Sequence, residues 1–460
     1  MNLTKGLISA RSFSIAVIGI YFVTIPNAFP MAKKPPQASV TQEIIASEPK
    51  PTYTLRDCYE LALKRSETIA IRKEAIEETE AEFLKAGGEI FGDIDFVVTD
   101  FRQDAPRQPI FTSSSTSSDV GRSSTAYDRR ERKFVISQPL FQGFKSIAAL
   151  GAAGSLRKQR KQERIRAEQL LFFDVARAFY DVIEQKRNVE IIEEIRKSFQ
   201  ERIADLTERE KIGRSRPSEV ASAVSRMRIL ESELAHAKGL YAISVHVIEF
   251  LTGVTVDFEQ IREEDLPAAQ DRTMTFFLGS ADRRPDVEAA HQATKTAWRG
   301  VIEAQSDLWP EITLENNTYV KREGFQKDIN WDLLFKINIP LSRGGENVGV
   351  LKQAISQWKT EKLNYSLAKR QAVLEIKEAF QNWQASVQES NALQEAVSAS
   401  DHNFDLQKEE YARNLVSNLD VLEALEELYN TERQANQTYY QMKENFWRLK
   451  VAAADLYESV

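Results

Sequence analysis

Apolar and polar residues alternate with a period of two in four short segments, the pattern of β-strands whose two faces meet different surroundings. The alternation predicts strands at about 92–100, 131–141, 311–320 and 331–341. In the last strand, one face should carry Trp331, Leu333, Phe335, Ile337, Ile339 and Leu341. The first two strands should share an apolar face formed by Ile94, Phe96, Val98, Phe134, Ile136 and Leu140. About ten residues suit a tilted membrane strand, although a soluble β-hairpin packed on helices shows the same alternation.

Apolar residues recur at helical spacing over much longer stretches of the chain. Residues 143–213 contain no proline, and about 70 helical residues span roughly 105 Å at 1.5 Å per residue. Pro217 and residues 414–418 mark reversals of direction. The pattern therefore predicts two helical hairpins, at about 143–252 and 344–456.

The chain also contains an internal repeat. Residues 134–143 align with 335–344, and residues 213–220 align with 414–421, at an offset of 201 in both cases. Two separate segments that hold one offset indicate a duplicated unit of helix, two strands and helical hairpin. We therefore predict a first structural repeat at 53–280 and a second at 281–460.

Upstream of the strands the offset changes. Ala62 aligns with Ala281, an offset of 219, so the first copy should contain 18 additional residues after this point. The low-complexity stretch within residues 101–133 is the expected place. Insertions are tolerated in exposed loops, and we expect one here.

The N-terminal residues have the pattern of an export signal. Lys5 and Arg11 precede an apolar run at residues 13–25, which is short for a membrane span. We predict a signal peptide at 1–28 and an extended, proline-containing tail at 29–52, with a retained N-terminal anchor as the alternative.

Composition and charge exclude several other classes of function. The net charge is −7 with both signs interleaved, which argues against nucleic-acid binding. The single cysteine, Cys58, cannot form an intrachain disulfide and is expected to be a buried packing residue. The four histidines show no spacing typical of a metal site, so we expect no metal, no cofactor and no catalytic residues.

The predicted elements cannot complete a structure alone. Long amphipathic helices need lateral neighbours, and four strands cannot close a barrel. A dimer would supply eight strands, whereas a trimer supplies twelve and leaves room for a lumen. The residues alone therefore predict a mainly α protomer, with long antiparallel helical hairpins and four strands that need further copies to close a membrane β-barrel.

Several stretches, taken in order, resemble the TolC-like outer membrane efflux protein family. They are residues 53–63 (YTLRDCYELAL), 138–143 (QPLFQG), 284–287 (RPDV), 339–344 (IPLSRG) and 411–422 (YARNLVSNLDVL). The last stretch is the most specific, and the resemblance covers residues 53–460.

The resemblance implies a homotrimer in the outer membrane of a Gram-negative-type bacterium, extending into the periplasm. It implies that the helical hairpins form an α-barrel and that the four strands per protomer contribute to a 12-stranded trimeric β-barrel. It implies the exit duct of a tripartite efflux or type I secretion system, which conducts substrates passively. The implied partners are a periplasmic adaptor (membrane fusion protein), an inner-membrane transporter and outer-membrane lipid. Drugs, metal cations and polypeptides would all use the same duct.

The resemblance also implies a periplasmic gate at the turns of the hairpins. The family's gate tyrosine falls on Tyr411, and its hydrogen-bonding carboxylate falls on Glu219, beside Ser218. The family's acidic ring falls on Asp420 and Glu423. Residues expected to contact the adaptor are Gly213, Arg214, Arg216, Asn414 and Ser417.

The chain departs from the family pattern at one gate position. Val416 occupies the place of the family's gate arginine. Three nearby arginines are candidates to replace it, namely Arg413, Arg214 and Arg216.

Local rules support part of this assignment independently. Asp420 and Glu423 are three residues apart and share one helix face. Three copies would bring six carboxylates together in a narrow constriction. Such a ring would favour cations and raise the pKa of some of the carboxyl groups. Ser417 and Asp420 also fit a helix capping box, which leaves capping as the alternative role for Asp420. Asn414 occupies the position of Gly213, and both tolerate the left-handed conformation of a helix end.

Two other functions compete with a channel. A soluble periplasmic coiled-coil or adaptor-type binding protein would also carry long hairpins, but it should contain a compact β-rich domain that is not visible between the repeats. An enzyme would need a nucleophile, phosphate loop or metal cluster, and the sequence offers none.

Overall fold

The computed structural model describes residues 52–102, 128–254, 261–266, 272–323 and 327–456. The predicted signal peptide, nearly all of the predicted tail and most of the predicted insertion lie outside these residues. In chain order the elements are α1 (Leu55–Arg65), α2 (Glu67–Phe91), β1 (Asp93–Arg102), β2 (Asp128–Gln142), α3 (Lys145–Lys211), α4 (Pro217–Thr252), α5 (Met274–Leu278), α6 (Pro285–Ser306), β3 (Glu311–Arg322), β4 (Trp331–Asn338), α7 (Glu346–Ala412) and α8 (Asn418–Ala452).

The four strands form one antiparallel sheet in the order β1-β2-β3-β4. Its two faces differ in chemistry because side chains alternate along each strand. One face is apolar and exposed in the protomer, and carries Ile94, Phe96, Val98, Phe134, Ile136, Trp331, Leu333, Phe335 and Ile337. The other face is largely polar: the Lys133 ammonium donates to Asn317 Oδ1 at 2.7 Å. Among the described strands, β1 and β4 each pair on one side only.

Near prolines, the paired strands are shorter or less regular than the alternation of apolar and polar residues predicts. β4 ends at Asn338, so the prediction that Ile339 and Leu341 continue the strand is wrong. Pro340 has no N–H to donate to a neighbouring strand. In β2 the register shifts between Pro139 and Phe141, and pairing with β1 stops at Ser137. Leu140 therefore does not share the paired apolar face with β1.

Two helices of 67 residues each, α3 and α7, dominate the molecule. Each begins after two residues in the left-handed conformation. These are Gly143 (φ 58°) and Phe144 (φ 70°) before α3, and Gly344 (φ 58°) and Gly345 (φ 90°) before α7. The two pairs are separated by the same 201 positions as the sequence repeat. No helix within the described part of the chain combines the length and apolar character needed to cross a membrane.

The core lies along α3, which packs against α2, α4, α6 and α8. One buried cluster surrounds Phe172, Phe179 and Trp447 and includes Cys58. Burial raises the pKa of the Cys58 thiol to about 12, consistent with a packing residue. A second cluster joins α3, α4 and α8 near the turns of the hairpins.

The RPDV stretch anchors the second half of the chain. The Arg284 guanidinium is buried and donates to Asp286, to Glu375 of α7 at 2.7 Å, and to the carbonyl of Ala452 at the end of α8. Arg166 of α3 donates to the neighbouring Val451 carbonyl at 2.9 Å. These contacts hold α3, α6, α7 and α8 together at the C-terminal end of α8, near the middle of α7.

Candidate gate at the helical tips

Both hairpins turn through the same backbone conformation. In the first tip (212–216), Gly213 has φ 72° and the next N–H donates to the Arg209 carbonyl at 2.8 Å. In the second tip (413–417), Asn414 has φ 60° and the next N–H donates to the Glu410 carbonyl at 3.0 Å. Both turns have the six-to-one hydrogen bond of a Schellman motif. The prediction that Gly213 and Asn414 hold equivalent left-handed positions is confirmed.

The start of α8 confirms the predicted capping box. The Ser417 N–H donates to Asp420 Oδ2 at 2.7 Å, and the Asp420 N–H donates to Ser417 Oγ at 3.4 Å. The hydrogen bonds from Ser417 lower the pKa of the Asp420 carboxyl in the protomer. Asp420 is therefore engaged as a cap, whereas Glu423 is exposed one turn later.

Tyr411 lies in the last turn of α7 and is buried against α3. The Arg202 guanidinium carbon lies 3.9 Å from the centroid of the Tyr411 ring, and that of Arg209 lies 4.8 Å from it. Arg209 also donates to Asp205 at 3.1 Å. Two cations over one ring make cation–π contact the main interaction of this side chain.

Arg202 makes further contacts across the hairpins. Its Nε and Nη2 donate to Asn418 Oδ1 at 2.9 and 2.8 Å, and its Nη1 donates to Asp205 at 3.1 Å. Asn418 is the first residue of α8 and is 2% exposed. Burial lowers the pKa of Arg202, but a guanidinium stays charged at any physiological pH. We call Arg202, Asp205, Tyr411 and Asn418 the tip cluster.

The structure describes no direct contact between Tyr411 and the other predicted gate residues, although Glu219 acts electrostatically on Arg202. Glu219 accepts a hydrogen bond from Ser215 Oγ at 2.6 Å, within the first tip. Among the described contacts of the protomer, no hydrogen bond joins Glu219 to Tyr411. Ser218 is exposed at the start of α4.

None of the three arginines proposed to replace the family's gate arginine reaches Tyr411. Arg214 and Arg216 are exposed, and Arg413 forms an exposed ion pair with Glu409 at 3.5 Å. Val416 packs against the apolar cluster of the tips. Within the protomer, the arginine over the gate tyrosine comes from α3.

One signal in the sequence could have identified Arg202. The buried stripe of α3 runs through Ile192, Ile195, Phe199 and Leu206, and position 202 falls on this stripe between the last two. A charged residue on an apolar stripe is buried only when it is paired. That pattern marks Arg202 as a residue with partners on another helix.

Two further features adjoin the tip cluster. A cavity of about 350 Å³ lies beside it and is lined in part by Arg202, Asp205, Tyr411 and Leu422. Farther up the hairpins, an upper cluster repeats the same residue types. Its members are Asn188, Glu233, Tyr429 and Arg433.

The comparisons with known proteins agree with this architecture. A family model described as outer membrane efflux protein matches residues 280–454. The cation efflux system protein CusC of Escherichia coli (strain K12) is 22% identical over 277 residues, which are 57% of this chain and 59% of CusC. The outer membrane protein TolC of Vibrio cholerae serotype O1 is 20% identical over 333 residues, 70% of this chain and 76% of that protein.

A solved structure matches most of the chain. The outer membrane protein VceC of Vibrio cholerae superimposes with a TM-score of 0.74 at 21% identity, covering 87% of this chain and 95% of that one. The likeness confirms the predicted fold class of long helical hairpins with a small antiparallel sheet. The chain spans only about three-fifths of the length of CusC.

Proposed function

We propose that this TolC-like member of the outer membrane efflux protein family is the outer-membrane exit duct of a tripartite efflux or type I secretion system. In this proposal the protein lies in the outer membrane, extends into the periplasm and conducts substrates passively. Its partners are a periplasmic adaptor and an inner-membrane transporter.

One observation carries the proposal. The sheet presents an apolar face that is exposed in the protomer, a largely polar opposite face and, among the described strands, two edges that pair with no other strand. Exposed strand edges invite pairing with another chain. Three copies joined edge to edge would give twelve strands with the apolar face toward lipid and the polar face toward the lumen. A soluble adaptor would leave this apolar face in water, which disfavours that alternative.

The tips supply the proposed gate. Tyr411 closes the tip from α7, and Glu219 and Ser218 face it from the start of α4 in the assembled tunnel. Asp420 and Glu423 form the acidic constriction, and Gly213, Arg214, Arg216, Asn414 and Ser417 contact the adaptor. The support is the shared turn geometry of the two tips and the burial of Tyr411.

The proposal is tested by fractionation and channel recording. The full-length chain, expressed in a Gram-negative host, should be recovered from the detergent-extracted outer membrane as a heat-resistant trimer. The purified trimer should form channels in planar bilayers. Recovery as a monomer in the periplasmic fraction would contradict the duct and favour the soluble alternative.

A further inference from the structure

We propose that Arg202 of α3 is the latch of the periplasmic gate, holding both helices of the second hairpin against the first within each protomer. The inference rests on the proposed channel function and concerns the control of its gate. It assigns the closing contact to a residue on a helix rather than to the tip loops.

The geometry uses every side of the guanidinium. One edge donates through Nε and Nη2 to Asn418 Oδ1, Nη1 donates to Asp205, and the flat face covers the Tyr411 ring at 3.9 Å. A planar fork with five donors can meet these three partners together, whereas the single ammonium of a lysine cannot. Arg202 is therefore held in one orientation.

The partners of Arg202 lie on both helices that flank the second tip, so the contact restrains movement of that tip. Tyr411 belongs to the last turn of α7, and Asn418 is the first residue of α8. Arg202 thus contacts the second tip on both sides of its loop. Moving that tip away from α3 must break the hydrogen bonds and the ring contact together, so the tip has two discrete arrangements rather than a continuous range.

Burial gives the contact its strength. The Arg202 side chain is 10% exposed and Asn418 is 2% exposed, so solvent cannot fully replace the lost partners until the tip has opened. Asp205, at 45% exposure, stays with Arg202 on α3 and keeps the charge paired in both arrangements. The latch can therefore release without leaving an isolated buried charge.

The upper cluster provides a matched control. Arg433 of α8 donates to Asn188 at 2.9 Å and to Glu233 at 3.4 Å, and its guanidinium lies 5.2 Å from the Tyr429 ring centroid. It joins α8 to α3 and α4 about 15 residues above Asn418, or roughly 22 Å along the helix. Arg433→Gln removes contacts of the same kinds between the same hairpins, at a site where the arginine is 38% exposed, and leaves the tip intact.

The experiment compares variants as detergent-purified trimers in planar bilayers, with thermal unfolding measured in parallel. Arg202→Gln should raise the open fraction of the channel by roughly 5- to 150-fold, the range of common allosteric couplings. Arg202→Lys should open it nearly as far. Arg433→Gln should lower the thermal midpoint less than Arg202→Gln does, because Arg433 is more exposed, and should leave the open fraction at the wild-type value.

A second variant strengthens the contact instead of removing it, so its result does not depend on whether the protein still folds without the Arg202 contacts. Asn418→Asp places a carboxylate against the guanidinium and should reduce the open fraction several-fold below wild type, because charge-assisted hydrogen bonds are stronger. An unchanged open fraction in both Arg202→Gln and Asn418→Asp would overturn the latch. So would equal opening by Arg433→Gln. If the wild-type trimer itself forms no channel, the proposed function fails instead.

Discussion

At the residue scale, two partly buried glutamates, Glu184 of α3 and Glu444 of α8, lie where these helices pack together. Burial raises the pKa of Glu184 to about 7, with the neighbouring Asp181 and Glu444 adding to the effect. Burial likewise raises the pKa of Glu444 to about 7, Asp181 adding to the rise while Arg177 and Arg448 oppose it. Protonation of this group of carboxyls therefore stabilises the packing of the two helices.

The pH dependence follows from the direction of these shifts. In the unfolded chain a glutamate has a pKa near 4.3, so the folded protein binds these protons more tightly. The stabilisation is complete below that value and is lost as the pH rises through about 7. Glu444→Gln, which mimics the protonated acid, should raise the thermal midpoint at pH 8 and change it less at pH 5.

Circular dichroism melts at the two pH values check this prediction. Glu389→Gln, at an exposed position on α7, serves as the control and should have little effect at either pH. A Glu444→Gln variant that is less stable than wild type at pH 8 would contradict the assignment.

Tyr411 offers a second test at this scale, because its ring carries the contacts that the structure describes. Tyr411→Phe keeps the ring and should leave the open fraction of the channel near wild type. Tyr411→Leu removes the ring and should open the channel to a similar degree as Arg202→Gln. If Phe opens the gate as much as Leu, the hydroxyl matters, which would favour the predicted bond to Glu219 in the assembled trimer.

The tip shows which residues could be predicted from sequence. Asn414, Ser417 and Asp420 follow local rules of helix ends, whose partners lie within a few residues. Arg202 and Asn418 are 216 residues apart, and their contact depends on how two hairpins pack. No local rule specifies that pairing, so the prediction placed the replacement arginine in the loops instead.

At the scale of elements, the sheet offers a test of which face meets lipid. Phe335 and Leu334 are adjacent in β4, point to opposite faces and are 56% and 50% exposed in the protomer. Phe335→Asp should reduce the trimer recovered from the outer membrane, because a charge facing lipid is costly: up to about 2–4 kcal/mol for an arginine or lysine at the bilayer midplane, and less for an aspartate. Leu334→Asp, on the polar face, should assemble nearly as wild type.

Quantitative immunoblotting of the detergent-extracted outer membrane measures both variants. Equal recovery of the two, or the reverse order, would contradict the assignment of the faces.

The strands also show where an alternating pattern misleads. Alternation predicts that side chains share a face, and the described pairs of Ile94 with Ile136 and Phe96 with Phe134 do so. It carries no information about backbone donors. Pro139 lies at a register shift in β2, and Pro340 lies just beyond the end of β4. At both places the apolar residues continue, although the regular strand pairing does not.

At the scale of the whole molecule, the protomer exposes apolar side chains along both lateral flanks of its helices. Ile229, Ile243 and Phe250 are exposed on α4, and Leu363 and Leu374 are exposed on α7. Packing α4 and, farther from the tips, α2 of one copy against α7 of the next would cover both flanks, as the proposed homotrimer requires. The need for partners was predictable from helix length and strand number, whereas the choice of flanks required the packing of α3 between α4 and α8.

The shared backbone of the two tips has a consequence for how such proteins diverge. The Schellman hydrogen bonds at both tips are made by main-chain atoms, and each needs only a residue that tolerates the left-handed conformation. Most side chains of the two loops can therefore mutate without cost to the turn. In a chain with two copies of one unit, either loop can therefore change its side chains while both hairpins keep the same turn, so the two tips can carry different chemistry on one backbone geometry.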